Sequence, residues 1–121
     1  MLRIAICDDE TDARDALRIQ LEQVLIEETE EIVYEFSSGT NAASWLAKHP
    51  GEIDLLFLDV EMKGLNGMET AEKIRTFNRD LIIVFVTGYT DYFKLLFQAL
   101  YFHIHRTLRR THQGTGSNQA C

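Results

Sequence analysis

Four side chains in this chain stand where chemistry could gather. Asp8 and Asp9 follow one short apolar run, Asp59 closes a second, and Thr87 follows a third. Carboxylates brought close together repel and raise one another's pKa unless a cation neutralises them. Oxygen ligands with room for water suit magnesium better than a softer metal. An ionised aspartate beside such an ion is a nucleophile suited to accept a phosphoryl group, because the metal offsets the growing negative charge. A threonine hydroxyl at the same edge, Thr87, can then hydrogen-bond a phosphoryl oxygen.

These residues work together only if the fold brings the ends of their strands to one edge. The central stretch is Asp54-Leu-Leu-Phe-Leu-Asp59, whose apolar core reads as a buried parallel strand. A loop with Gly64 and Gly67 follows. Leu2 to Cys7 is a first strand, Ile32 to Phe36 a second, Leu81 to Val86 a fourth and central one, and Leu100 to His105 a fifth. Helical spacing alternates with them. Thr11 or Asp12 is positioned to cap a helix carrying Ala13, Leu17, Leu21, Val24 and Leu25, and Glu27 to Glu31 reads as its solvated acidic exit. Thr40 to His49 turns Ala43, Leu46 and Ala47 inward, with Trp45 as a packing residue, and Pro50-Gly51 stops it. Met68 to Phe77 carries Ala71 and Ile74 to the sheet, and residues 91–100 form an apolar helix. The expected fold class is α/β, a flavodoxin-like, doubly wound five-stranded parallel sheet. That strand order sets the first, third and fourth strands side by side, and with them Asp8, Asp9, Asp59 and Thr87.

The 121 residues suffice for one domain. No apolar run approaches the roughly 18 residues of a membrane span, and two cysteines suggest no disulfide framework and a cytoplasmic setting. Residues 1–100 hold all 19 acids against 9 of the 12 Lys/Arg. Such an acidic body is a poor nucleic-acid binder. Residues 106–121 differ: they hold Arg106, Arg109 and Arg110, no acid and no helical periodicity. They read as an atypical, disordered tail after a domain at 1–105. Three arginines there are too few for a nucleic-acid patch. His103 and His105 would share a strand face, yet no acid follows Asp91 to complete a metal site.

The runs Ile4-Ala-Ile-Cys-Asp-Asp-Glu10, Leu56-Phe-Leu-Asp-Val-Glu-Met62 with Gly67, and Val84-Phe-Val-Thr-Gly-Tyr89 together resemble the receiver domain of a bacterial two-component response regulator over residues 2–105. The run from Glu61 to Ala71 resembles receivers that precede a LytTR-type DNA-binding domain. The resemblance implies that Asp59 is the phospho-acceptor and Thr87 the switch hydroxyl. It further implies Mg²⁺ held by Asp9, Asp59 and the backbone carbonyl of Glu61, with Asp8 acting mostly through water. A sensor histidine kinase is then the donor, and transcription the output, through a domain not present in these residues. The domain itself is regulatory, at most phosphorylating and dephosphorylating itself.

Two features depart from the family pattern. Lys63 stands where many receivers have proline, and Arg106-Thr107 replaces the Lys-Pro pair expected after the fifth strand. A single inserted base at codon 106 accounts for the lost pair and the lost final helix, because the shifted frame admits Lys-Pro followed by an amphipathic helix start. The apolar helix then lacks cover, which predicts a homodimer or segment exchange through residues 91–121. A rival reading is a Mg-dependent phosphohydrolase with Asp59 as nucleophile and Glu61 as general acid. A nucleotide-binding fold is disfavoured, since no glycine-rich phosphate loop follows the first strand.

Overall fold

The computed structural model describes residues 2–26 and 28–86. Strand β1 (Leu2–Cys7), helix α1 (Thr11–Glu22), β2 (Glu30–Phe36), α2 (Gly39–Lys48), β3 (Leu55–Asp59), α3 (Gly67–Arg75) and β4 (Ile82–Val86) alternate along the chain. The strands form one sheet in the order β2-β1-β3-β4, every pair parallel. The expected doubly wound architecture is therefore present, with β1, β3 and β4 adjacent. The expected fifth strand, the 91–100 helix and the 106–121 tail lie outside the described residues. Among the described residues β4 is the outermost strand beyond β3, so its central place rests on that fifth strand.

Pleating sends alternate residues of a strand to opposite faces. In β1 and β3, Ala5, Cys7, Leu56 and Leu58 enter one apolar cluster with Ala42, Ala43 and Leu46 of α2 and Ala71 and Ile74 of α3. Ile4, Ile6, Leu55 and Phe57 alternate with them on the same strands and are equally sealed from water. Burying each such side chain contributes roughly 1.5–3 kcal/mol. The continuous apolar run of β3 follows from being covered on both faces.

Helix boundaries differ from the expected ones, and capping explains why. At α1 neither Thr11 nor Asp12 caps: Glu10 holds the cap position without a side-chain bond, and Thr11 is already helical. The Glu10 amide instead donates to Asp8 Oδ1 at 3.0 Å. Val24 and Leu25 lie past the helix end, their amides donating to the Leu21 carbonyl at 3.0 Å. The expected solvated exit is corrected at Glu30, which begins β2 and is 3% exposed. Its Oε1 accepts from the Ile26 amide at 2.7 Å, closing the turn.

Ser38 caps α2 by accepting from the Asn41 amide at 3.0 Å, starting the helix one residue earlier than expected. The inward stripe becomes Gly39, Ala42, Ala43 and Leu46, and Ala47 turns to solvent. Trp45 packs as expected, its ring stacked on His49 at 4.0 Å and tilted against Tyr34 at 4.6 Å. Asn66 and Glu69 form a reciprocal capping box that begins α3 at Gly67. Phe77, expected within α3, lies beyond it and is exposed.

Candidate functional site

The register places the acids. Cys7 pairs with Leu58 across β1 and β3, so the next residues, Asp8 and Asp59, leave the same edge of the sheet side by side. Asp59 pairs in turn with Val86, the last residue of β4. One carboxylate oxygen from each of Asp8, Asp9 and Asp59 lies within 4.8 Å of the others. Asp8 is buried, while Asp9 and Asp59 are partly open to solvent. The sequence reading named these three, and the fold brings them together. Thr87 lies outside the described residues, as do His103, His105 and the arginines of the tail.

Each of the three carboxylates accepts one backbone amide. Glu10 donates to Asp8 Oδ1 at 3.0 Å, Lys63 to Asp9 Oδ2 at 2.9 Å, and Glu61 to Asp59 Oδ1 at 3.3 Å. Arg14 secures the start of α1 by donating from Nη1 to the Asp8 carbonyl at 2.8 Å. Its Nε also lies 3.6 Å from Glu35 of β2. Sequence reasoning missed both Arg14 and the Lys63 amide. The signal for the latter was present, because any residue but proline keeps an N–H in that loop.

Gathering the acids shows in their electrostatics. Burial above all, then the charges of Asp8 and Asp9, pushes the Asp59 carboxyl up to about 6, against the opposing hydrogen bond from the Glu61 amide. Burial likewise pushes the Cys7 thiol up to about 12, with the three aspartates adding to it and Arg14 opposing them. A cation at the trio would relieve the strain on Asp59. The donors are all hard oxygens, and two of the three face water, so they fit a magnesium ion that retains part of its hydration shell.

Gly67 sets the approach of α3 to this edge. A Cβ there would overlap the Asp59 carbonyl oxygen and come within 2.8 Å of Val60 Cα. The Gly67 amide donates to the Val60 carbonyl at 2.9 Å. The close contact keeps the end of β3 pressed under the first turn of α3.

A family model for the response regulator receiver domain matches residues 4–111. This chain belongs to the receiver domain family. Among curated relatives of this receiver, the sensory transduction protein LytT of Bacillus subtilis is 36% identical over 96 residues, covering 76% of this chain and 36% of that protein. The cyclic di-GMP phosphodiesterase response regulator RpfG of Xanthomonas campestris is 38% identical over 88 residues, or 71% of this chain and 22% of that protein. The receiver thus spans well under half of either relative. Among solved structures, a two component transcriptional regulator AraC from Clostridium phytofermentans superposes with a TM-score of 0.60 at 32% identity, over 75% of this chain and 70% of that one. The receiver is a regulatory module of two-component signalling, of the kind governed by phosphorylation. Nothing supports the rival hydrolase: the Glu61 side chain is exposed, and Glu61 bonds Asp59 through its amide. Among the described residues no helix is long and apolar enough to cross a membrane.

Proposed function

We propose that Asp59 accepts a phosphoryl group from the phosphohistidine of a sensor kinase. The observation that carries this is the gathering of Asp8, Asp9 and Asp59 at adjacent strand ends, with oxygens within 4.8 Å. An Asp59 carboxylate oxygen attacks phosphorus as the N–P bond breaks, and the departing imidazole nitrogen takes up a proton. Asp9, Asp59 and the Glu61 carbonyl would hold Mg²⁺, with Asp8 acting mostly through water. A bound magnesium ion would supply positive charge against the carboxylates and the transferring group.

The chain's own residues do the rest. The Glu61 amide holds Asp59 Oδ1, leaving the other oxygen to attack. Thr87, next in sequence after β4, serves as the hydroxyl that follows the new charge and carries the change onward. The domain acts in the cytoplasm and has no turnover beyond its own phosphorylation and dephosphorylation. It controls transcription through a separate output domain. Residues 1–105 form the receiver and 106–121 a tail outside the native reading frame, which the coding sequence across codons 106–121 decides.

The test is incubation with a small phosphodonor and Mg²⁺, followed by intact mass measurement. One hydroxylamine-sensitive phosphoryl group per chain is expected in the wild type and none in Asp59→Asn. Label persisting in that variant would place the acceptor elsewhere, and many turnovers per chain would revive the hydrolase.

A further inference from the structure

We infer that the backbone amide of Lys63 is a positioning group for Asp9, holding this carboxylate in the trio before a cation arrives. The inference rests on the magnesium site proposed above and adds to it a determinant of affinity. Of the three amides that the carboxylates accept, two are local. Glu10 reaches back two residues to Asp8, and Glu61 reaches back two residues to Asp59. The third spans 54 residues of sequence, from the loop after β3 to the residue after β1. At 2.9 Å it is also the shortest of the three. Asp9 gains orientation from this bond through a loop that must itself be fixed.

Two contacts fix that loop. Met62, immediately before Lys63, packs against the apolar cluster under α2 and α3, and its Sδ lies 3.8 Å from Cys7 Sγ of β1. After the loop, the Gly67 amide is bonded to the Val60 carbonyl. Amides two residues apart, at 61 and 63, thus hold one acid from each of two strands, with the Glu61 carbonyl between them in the chain. The Lys63 side chain is exposed and forms none of the ion pairs among the described residues. What positions Asp9 is therefore the N–H and not the ammonium. A carboxylate left to rotate away from two like charges would have to be brought back when the cation binds. Hydrogen-bond partners of metal ligands typically account for about 10–100-fold in metal affinity.

The prediction separates amide from side chain. Lys63→Pro removes the N–H, and Lys63→Ala keeps it. Calorimetric Mg²⁺ titration of the full chain should show roughly tenfold weaker binding in Lys63→Pro, at the low end of that range. Lys63→Ala should stay within about twofold of wild type. Equal affinity in Lys63→Pro, or equal weakening in Lys63→Ala, overturns the inference while leaving the metal site standing. A second measurement needs no proline and no metal. The Lys63 amide should exchange slowly with solvent in the metal-free wild type and much faster in Asp9→Ala; unchanged exchange overturns the inference. A wild-type chain that binds no Mg²⁺ removes the site itself, and the role of Lys63 with it.

Discussion

Asp59, the proposed acceptor, shows what it costs to gather like charges at one edge of a sheet. Its unfolded-state carboxyl titrates near 3.8, whereas in the fold it is raised to about 6. A raised carboxyl contributes stability that is complete below the lower value and is lost as pH climbs through the upper one. Without metal, the receiver should therefore lose stability from this group between pH 4 and 7. Solvent reaches the site, so the loss is on the order of 1 kcal/mol. Asp59→Asn should melt a few degrees higher than wild type at pH 7 in chelator, and the advantage should vanish near pH 4. Thermal melts at the two pH values check this; an advantage that is independent of pH would assign it to something other than ionisation. At this scale the acids were legible because each interrupts an apolar run. Glu30 was not, since a glutamate in an acidic string gives no sign that Ile26 will hand it an amide.

Elements position these residues through contacts too close for any side chain. At Gly67 an added methyl group would strike the backbone of Asp59 and Val60, which cannot swing aside. Gly67→Ala should cost about 1–3 kcal/mol and slow phosphorylation by displacing the end of β3. Gly64 makes a matched control. It lies in the same loop at φ +73 with open space around it, so Gly64→Ala meets only backbone strain, about 1 kcal/mol. Denaturant midpoints and labelling rates of the two variants check this; equal phosphorylation in both would detach Gly67 from the site. Strands β1, β3 and β4 were legible to within a residue because apolar runs bound them, whereas β2 begins two residues early, at Glu30. Helix starts were not, because they depend on which polar side chain reaches an amide. Ser38 and Asn66 reach such amides, whereas Glu10 caps α1 without a side-chain bond, and in α2 it is Ala42 that faces inward and Ala47 outward.

For the molecule as a whole, the parallel sheet followed from strands alternating with helices, and the flavodoxin-like order β2-β1-β3-β4 brings the acids together. Alternation fixes layers and composition fixes charge, but neither says what packs against the apolar residues of 91–100, which lie outside the described residues. Residues 91–100 carry Tyr92, Phe93, Leu95, Leu96, Phe97 and Leu100, while 106–121 offer only Leu108 and Ala120. Leaving large apolar side chains in water costs roughly 1.5–3 kcal/mol each. Self-association through residues 91–121 is the expected outcome, read as a concentration-dependent mass by light scattering. A monomer at high concentration would refute it.

The thiol of Cys7 lies at the crossing of these scales, with no exposed surface and its pKa pushed up to about 12. Only a thiolate attacks an alkylating reagent, and this one is neither ionised at neutral pH nor reachable. In a Cys121→Ser background, iodoacetamide should leave the folded chain unmarked and react only when β1 parts from its neighbours. Cys7 alkylation is then a clock for sheet opening. Its slowing on addition of Mg²⁺ would time, in a single chain, how strongly an ion at the proposed site locks β1 to β3.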